Sequence, residues 1–162
     1  MSATALRATP PAVVARPWDH PDSTALRAAQ RVEIAERYGT PDSEPGPAPT
    51  GDDIAVFLVA YTAAGVAVGC GGLRQLDASS AEIKRMYVTT AHRGTGVSVA
   101  VVRALEEAAL DRGWFTLRLE TGVMQPDAVR FYTREGYYPI AKFGHYADSA
   151  DSLCFEKAVA RG

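Results

Sequence analysis

The chain has 162 residues, 47% of them hydrophobic and 22% charged, which fits one ordinary soluble domain with a single core. Lys and Arg number 17 against 19 Asp and Glu, a net charge of −2. That balance excludes a general polyanion binder, because non-specific nucleic-acid affinity needs excess cations on phosphates, and the composition excludes collagen, coiled coil and wholesale disorder.

Residues 1–11 are rich in Ala, Thr and Pro and read as a flexible end, with a single domain expected over 12–160. The N-terminal stretch has no apolar run and is interrupted by Pro10, Pro11 and Pro17, so it does not read as a signal peptide. A short strand is expected at 12–16. Asp22 or Ser23 can cap a helix whose buried face would carry Ala25, Ala28, Ala29, Val32 and Ala35, with Gly39 as its stop. Residues 40–53 hold four prolines and two glycines and read as a loop. The charge-free run 54–73 is long enough to span a bilayer. Thr62, Gly65, Gly69, Gly71 and Gly72 break it, however, so it reads as two antiparallel strands, 54–61 and 66–73.

A third strand is expected at 82–88. Residues 96–112 form the clearest helix, with Val97, Ala100, Val101, Ala104, Leu105 and Ala108 on one arc and Gly113 as its stop. A strand at 115–120, a helix at 125–135 stopped by Gly136, and strands at 137–140 and 152–157 complete the chain. Strands first and then alternating strands and helices predict an α/β (α+β) sheet with helices on its faces. An edge strand near the C-terminus leaves open a homodimer formed by pairing between chains. Cys70 and Cys154 belong to no paired motif and read as buried free thiols in a reducing cytoplasm. His20, His92 and His145 are too scattered for a metal site.

The chemistry concentrates in residues 82–98, EIKRMYVTTAHRGTGVS. A strand ends near Val88, a loop carries Arg93, Gly94, Thr95 and Gly96, and a helix begins. The first turn of a helix leaves backbone N–H groups unpaired at the positive end of its dipole, and glycines let a phosphate approach them. No Lys-Ser/Thr pair follows the glycines, so this is not a Walker loop, and G-x-G-x-x-G is incomplete.

Taken together, residues 82–136 resemble the GNAT superfamily of acetyl-CoA-dependent N-acetyltransferases. That family's acyl-CoA signature, Arg/Gln-x-x-Gly-x-Gly/Ala, stands as Arg93-Gly94-Thr95-Gly96-Val97-Ser98, with Ser98 where Gly or Ala is usual. Its second signature stands as Ala128-Val129-Arg130-Phe131-Tyr132-Thr133-Arg134-Glu135-Gly136-Tyr137. The resemblance implies a mixed, mostly antiparallel sheet of six to seven strands with helices on both faces and a splay between the fourth and fifth strands. It implies that acetyl-CoA is the donor, with no metal, and that Arg93, Gly94, Thr95, Gly96, Val97 and Ser98 hold its diphosphate. Met86, Tyr87 and Val88 would lie along its pantetheine arm, with Gln125 and Ala128 also lining that arm and Phe131 and Tyr132 among the cofactor-binding residues.

Acetyl transfer also needs a neutral amine. An alkyl ammonium of pKa ~10.4 costs about 4.6 kcal/mol to deprotonate at pH ~7, and a carboxylate is the usual base. Glu82 matches the base of the histone acetyltransferase branch, Glu120 is the second candidate, and Tyr132 holds the family's position for the acid that protonates the leaving thiolate. Either glutamate could instead serve only an ion pair with Lys84, Arg85 or Arg118. His145 and Tyr146 lie in a loop that could border the amine pocket. Glu33, Glu36 and residues 42–44 hint at a cationic acceptor or simply form a solvated face. The expected partner is a small-molecule or peptide amine, with no nucleic acid and no membrane. The competing readings are a catalytically weak acyl-CoA-binding regulatory module and a nucleotide-binding protein that uses the same glycine turn.

Overall fold

A seven-stranded sheet organises the computed structural model, which describes residues 9–40 and 45–160. In chain order the elements are β1 (Ala12–Ala15), α1 (Pro21–Tyr38), β2 (Val56–Tyr61), β3 (Ala67–Gln75), β4 (Ser80–Val88), α2 (Val97–Asp111), β5 (Thr116–Gly122), α3 (Pro126–Arg134), β6 (Tyr138–Ile140) and β7 (Ser152–Ala158). The sheet order is β1-β2-β3-β4-β5-β7-β6. Every neighbouring pair is antiparallel except β4 and β5, which run parallel. The residues expected to be flexible at the N-terminus lie largely outside the described residues, as do 41–44 of the proline-rich loop.

The charge-free run became the β2–β3 hairpin, closed where Thr62 N–H donates to Val66 C=O and Gly65 N–H to Thr62 C=O. Among the described residues no helix is long and apolar enough to cross a membrane. The α2 side of the sheet carries the larger core, with Val101, Val102, Leu105, Leu117 and Leu119 almost wholly removed from water. Burying each such side chain contributes about 1.5–3 kcal/mol. The α1 side carries a smaller cluster of Leu26, Ile54, Phe57, Val59 and Cys70.

Two expectations about α1 are corrected. Its N-cap is His20, whose Nδ1 accepts from Asp22 N–H at 3.1 Å, and Pro21 takes the first helical position. Pro is suited there because that N–H has no helical partner. The buried face is set by Ser23 and Leu26, and Val32 is 60% exposed. The alanines carry too little surface to orient the helix, whereas one leucine against Phe57 and Ile54 does. Gly39 ends the helix at φ 78° as expected.

Pairing between β4 and β5 covers only Ser80, Ala81 and Glu82 against Thr116, Leu117 and Arg118. Both strands continue past that point to Val88 and Gly122, so their C-terminal halves splay apart. A bulge in the β3–β4 register sits between the pairs Gly72–Lys84 and Cys70–Tyr87. Arg85 occupies it at φ 60°, the one non-glycine residue at positive φ among the described residues. A bulge bends its strand, and this one lies where β4 leaves β5.

Candidate active site

The splay opens a cleft in two connected parts of about 400 and 470 Å³. Gln30, Ile34, Met86, Gln125, Ala128 and Tyr132 border both parts.

One part runs along β4 to the turn before α2. Gly94 and Gly96 sit at φ 75° and 93°, and a Cβ built on either meets nothing within 4 Å. Gly96 caps α2, whose first helical bond is Ala100 N–H to Gly96 C=O at 3.1 Å. Among the described residues the N–H groups of 94–99 donate to no protein acceptor. A row of bare donors at a positive helix end is an anion cradle. Of the expected cofactor residues, Met86, Tyr87, Val88, Arg93, Gly94, Ser98, Gln125, Ala128, Phe131 and Tyr132 line this part. Thr95, Gly96 and Val97 do not. The Val97 side chain is buried in the core, and the Thr95 hydroxyl donates to His92 C=O at 2.5 Å. Their backbone amides still belong to the turn.

Arg93 is already engaged. Its guanidinium makes a two-pronged ion pair with Glu33 of α1, both contacts at 2.7 Å, and its Nε donates to Val88 C=O at 3.0 Å. The hydrogen bonds from Arg93 hold the Glu33 carboxyl below the usual range. Gln30 of α1 donates to Met86 C=O at 2.9 Å. Two carbonyls of the unpaired stretch of β4 are therefore capped by side chains from outside the strand.

The other part holds the titratable groups. Glu82 has no exposed surface. Its Oε1 accepts from Arg74 at 2.5 Å, its Oε2 accepts from the Tyr146 hydroxyl at 2.6 Å, and Lys84 Nζ lies 3.7 Å from Oε2. Lys84 Nζ donates to the Tyr146 oxygen at 2.8 Å. Glu120 borders the same space from β5, opposite Cys154 of β7. Tyr132 is buried and packs edge-on against Phe131 and Tyr137, with ring centres 5.1 and 5.6 Å away. Burial pushes its phenol well above the ordinary tyrosine range, so it keeps its proton at neutral pH.

Glu82, Glu120 and Tyr132 thus converge on one cleft from β4, β5 and α3. Arg74 and Gln30 were not among the expected site residues; Tyr146, expected at most to border the amine pocket, does line the cleft, whereas His145 does not, and Glu33 was singled out only as an acidic hint. Strand alternation places Glu82 and Lys84 on one face, but nothing local announces Tyr146, which lies 64 residues from Glu82. The acidic hint of a cationic acceptor is corrected for Glu33, whose carboxylate is taken by Arg93 and Arg37. Residues 42–44 lie outside the described residues. Among the described residues no three His, Cys, Asp or Glu side chains gather as a metal site.

A splayed mixed sheet with an amide cradle at one end of the splay and buried acid–base groups at the other defines an acyl-CoA-dependent acyltransferase. The chain belongs to the acetyltransferase (GNAT) family, whose model matches residues 18–137. It is 34% identical over 104 residues to an IAA acetyltransferase of Azospirillum brasilense, a stretch covering 64% of this chain and 67% of that protein. It is 34% identical over 93 residues to an uncharacterised N-acetyltransferase of Bacillus subtilis, covering 56% of this chain and 62% of that one. The matched stretch spans only 25% to 51% of the mammalian N-acetyltransferase 8 relatives. A crystal structure from Klebsiella pneumoniae, described as an acyl-CoA N-acyltransferase, superposes with a TM-score of 0.79 at 29% identity, covering 93% and 98% of the two chains. A GNAT acetyltransferase from Elizabethkingia anophelis with acetyl-CoA bound shares the fold at a TM-score of 0.69 and 13% identity, covering 92% and 98%.

Proposed function

We propose that this enzyme moves an acetyl group from acetyl-CoA to a primary amine of a small molecule or peptide by direct attack in a ternary complex. The observation that carries the reading is the arrangement of the splay, with the bare amides of 94–98 at one end and buried Glu82 at the other. The amides of 94–98 hold the diphosphate, and acetyl-CoA supplies the activated thioester. Met86 and Val88 present their backbone to the pantetheine arm once Gln30 and Arg93 yield the two carbonyls.

Glu82 receives the proton that the acceptor ammonium must lose, with Glu120 as the second candidate. Tyr132, held protonated by burial, donates to the leaving thiolate. That contribution is modest, because a thiol of pKa ~8.5 already leaves readily. Cys70 and Cys154 are both free and buried, which suits a reducing cytoplasm.

The test is thiol release from acetyl-CoA across a broad panel of primary amines. Amine-dependent release above the hydrolysis background supports transfer. Tight acetyl-CoA binding with no amine-dependent release refutes it in favour of a regulatory binding module. Thermal shift with acetyl-CoA beside ATP-Mg removes the nucleotide reading, since a ligand at ~100 Kd adds about 2.7 kcal/mol of stability.

A further inference from the structure

Glu82 is among the residues that line the cleft, but its carboxylate is already engaged. It has no exposed surface, and its two oxygens are taken by Arg74 and by Tyr146. The Tyr146 hydroxyl is bonded to that carboxylate, and Tyr146 lines the same cleft; it donates to Glu82 at 2.6 Å while accepting from Lys84 at 2.8 Å. We infer that Tyr146 is a catalytic residue of the transfer proposed above, the group that takes the proton from the acceptor ammonium while handing its own to Glu82.

The step balances. The ammonium N–H bond breaks and a new O–H bond forms at Tyr146. The original Tyr146 O–H bond breaks and its proton bonds Glu82 Oε2. Tyr146 ends unchanged, the amine is neutral and Glu82 is a neutral acid. After the C–N bond forms and the C–S bond breaks, the second nitrogen proton goes to the thiolate, and Glu82 returns its proton to solvent back through the Tyr146 hydroxyl.

The neighbours suit a relay. A proton in transit leaves phenolate character on Tyr146, and the Lys84 ammonium is already hydrogen-bonded to that oxygen. Glu82 faces Arg74 from β3, Lys84 from its own strand and Tyr146 from the loop before β7, and it interacts electrostatically with Cys154 of β7. The Tyr146 ring is buried and packs edge-on against Phe143 at 5.3 Å, so the hydroxyl is held in place.

The experiment compares wild type with Tyr146→Phe on two probes, ethanolamine and O-methylhydroxylamine. Ethanolamine is charged near neutral pH, and O-methylhydroxylamine is already neutral there. Melting temperature and calorimetric affinity for acetyl-CoA check that the variant is folded. The expected result is a kcat loss of about 100-fold or more on ethanolamine and less than about threefold on O-methylhydroxylamine. Equal losses on both probes, or no loss on either, overturn the relay and leave acetyl transfer standing. Failure of wild-type enzyme to acetylate the two probes and every amine of the panel above, while binding acetyl-CoA, overturns the transfer reading and the relay with it. Should Tyr146→Phe not fold, Lys84→Met leaves the hydroxyl in place and should lose about tenfold on ethanolamine alone, with equal losses again the refuting result.

Discussion

Glu82→Gln keeps the shape of the side chain and removes its charge, so its consequences divide cleanly into stability and rate. The carboxylate is buried, with Arg74 at 2.5 Å and Lys84 at 3.7 Å. Removing one partner of a buried pair costs about 3–5 kcal/mol. Arg74 keeps 26% of its side-chain surface exposed and can partly rehydrate, which brings the expected cost to about 2–3 kcal/mol. At about 2–4 °C per kcal/mol for a domain of this size, the melting temperature should fall by roughly 5–10 °C. The rate effect is separate. Near pH ~7.4 an alkyl ammonium of pKa ~10.4 lies three units from neutrality, about 4 kcal/mol, and removing the base should cut kcat/KM by about 10²–10⁴. The loss should shrink by about a decade per pH unit on raising the pH, as the amine becomes neutral in solution. The assay is the pH profile of acetyl-CoA turnover on the best acceptor from the amine panel. A folded variant within twofold of wild type near neutral pH, or a deficit that stays constant across the profile, would refute the base role.

Three further outcomes are expected. Glu33→Gln frees Arg93 from a two-pronged ion pair and should tighten acetyl-CoA binding severalfold at low salt with the gain fading at high salt, as calorimetry at two ionic strengths would show. Gly96→Ala meets no steric contact but forces a side chain into φ 93°, so it should cost about 1–2 kcal/mol and weaken acetyl-CoA binding; an unchanged melting temperature would contradict the geometry. Burial pushes the Cys70 thiol up to about 12 and raises Cys154 as well, so Ellman's reagent should label neither in folded protein and both in denaturant.

Acid stability follows the same logic. Glu33 and Glu156 are held below the ordinary carboxyl range by hydrogen bonds from Arg93 and from Arg118 and Tyr138. Groups with depressed pKa stabilise the fold above the unfolded value of about 4.3 and lose that contribution as pH falls through their folded values. Both pairs are partly exposed, so each is worth no more than about 1 kcal/mol. Denaturation midpoints measured between neutral and acid pH should therefore fall only below about pH 5.

The features legible in the chain were those written in contiguous residues. Gly94, Gly96 and the apolar arc of α2 lie within a few turns of one another, and the cradle follows from local backbone geometry. The splay was expected only through the family resemblance, since no local pattern marks where β4 pairing with β5 ends. The inward face of α1 was misjudged because alanine periodicity is a weak signal beside a single leucine, Leu26, whose partners come from β2. The engagement of Arg93 by Glu33, 60 residues away, and the seating of Tyr146 on Glu82 depend on chain segments meeting in space. Neither has a periodic or motif-like trace. The acceptor side of the cleft was for that reason less readable than the cofactor side.

A crystal structure with coenzyme A bound tests most directly whether the diphosphate sits over the turn before α2. The predicted result places the diphosphate oxygens within hydrogen-bond distance of the amides of 94–98 and threads the pantetheine arm between β4 and β5, with Gln30 withdrawn from Met86 C=O. A nucleotide tail bound elsewhere, with those amides still facing solvent, would contradict it.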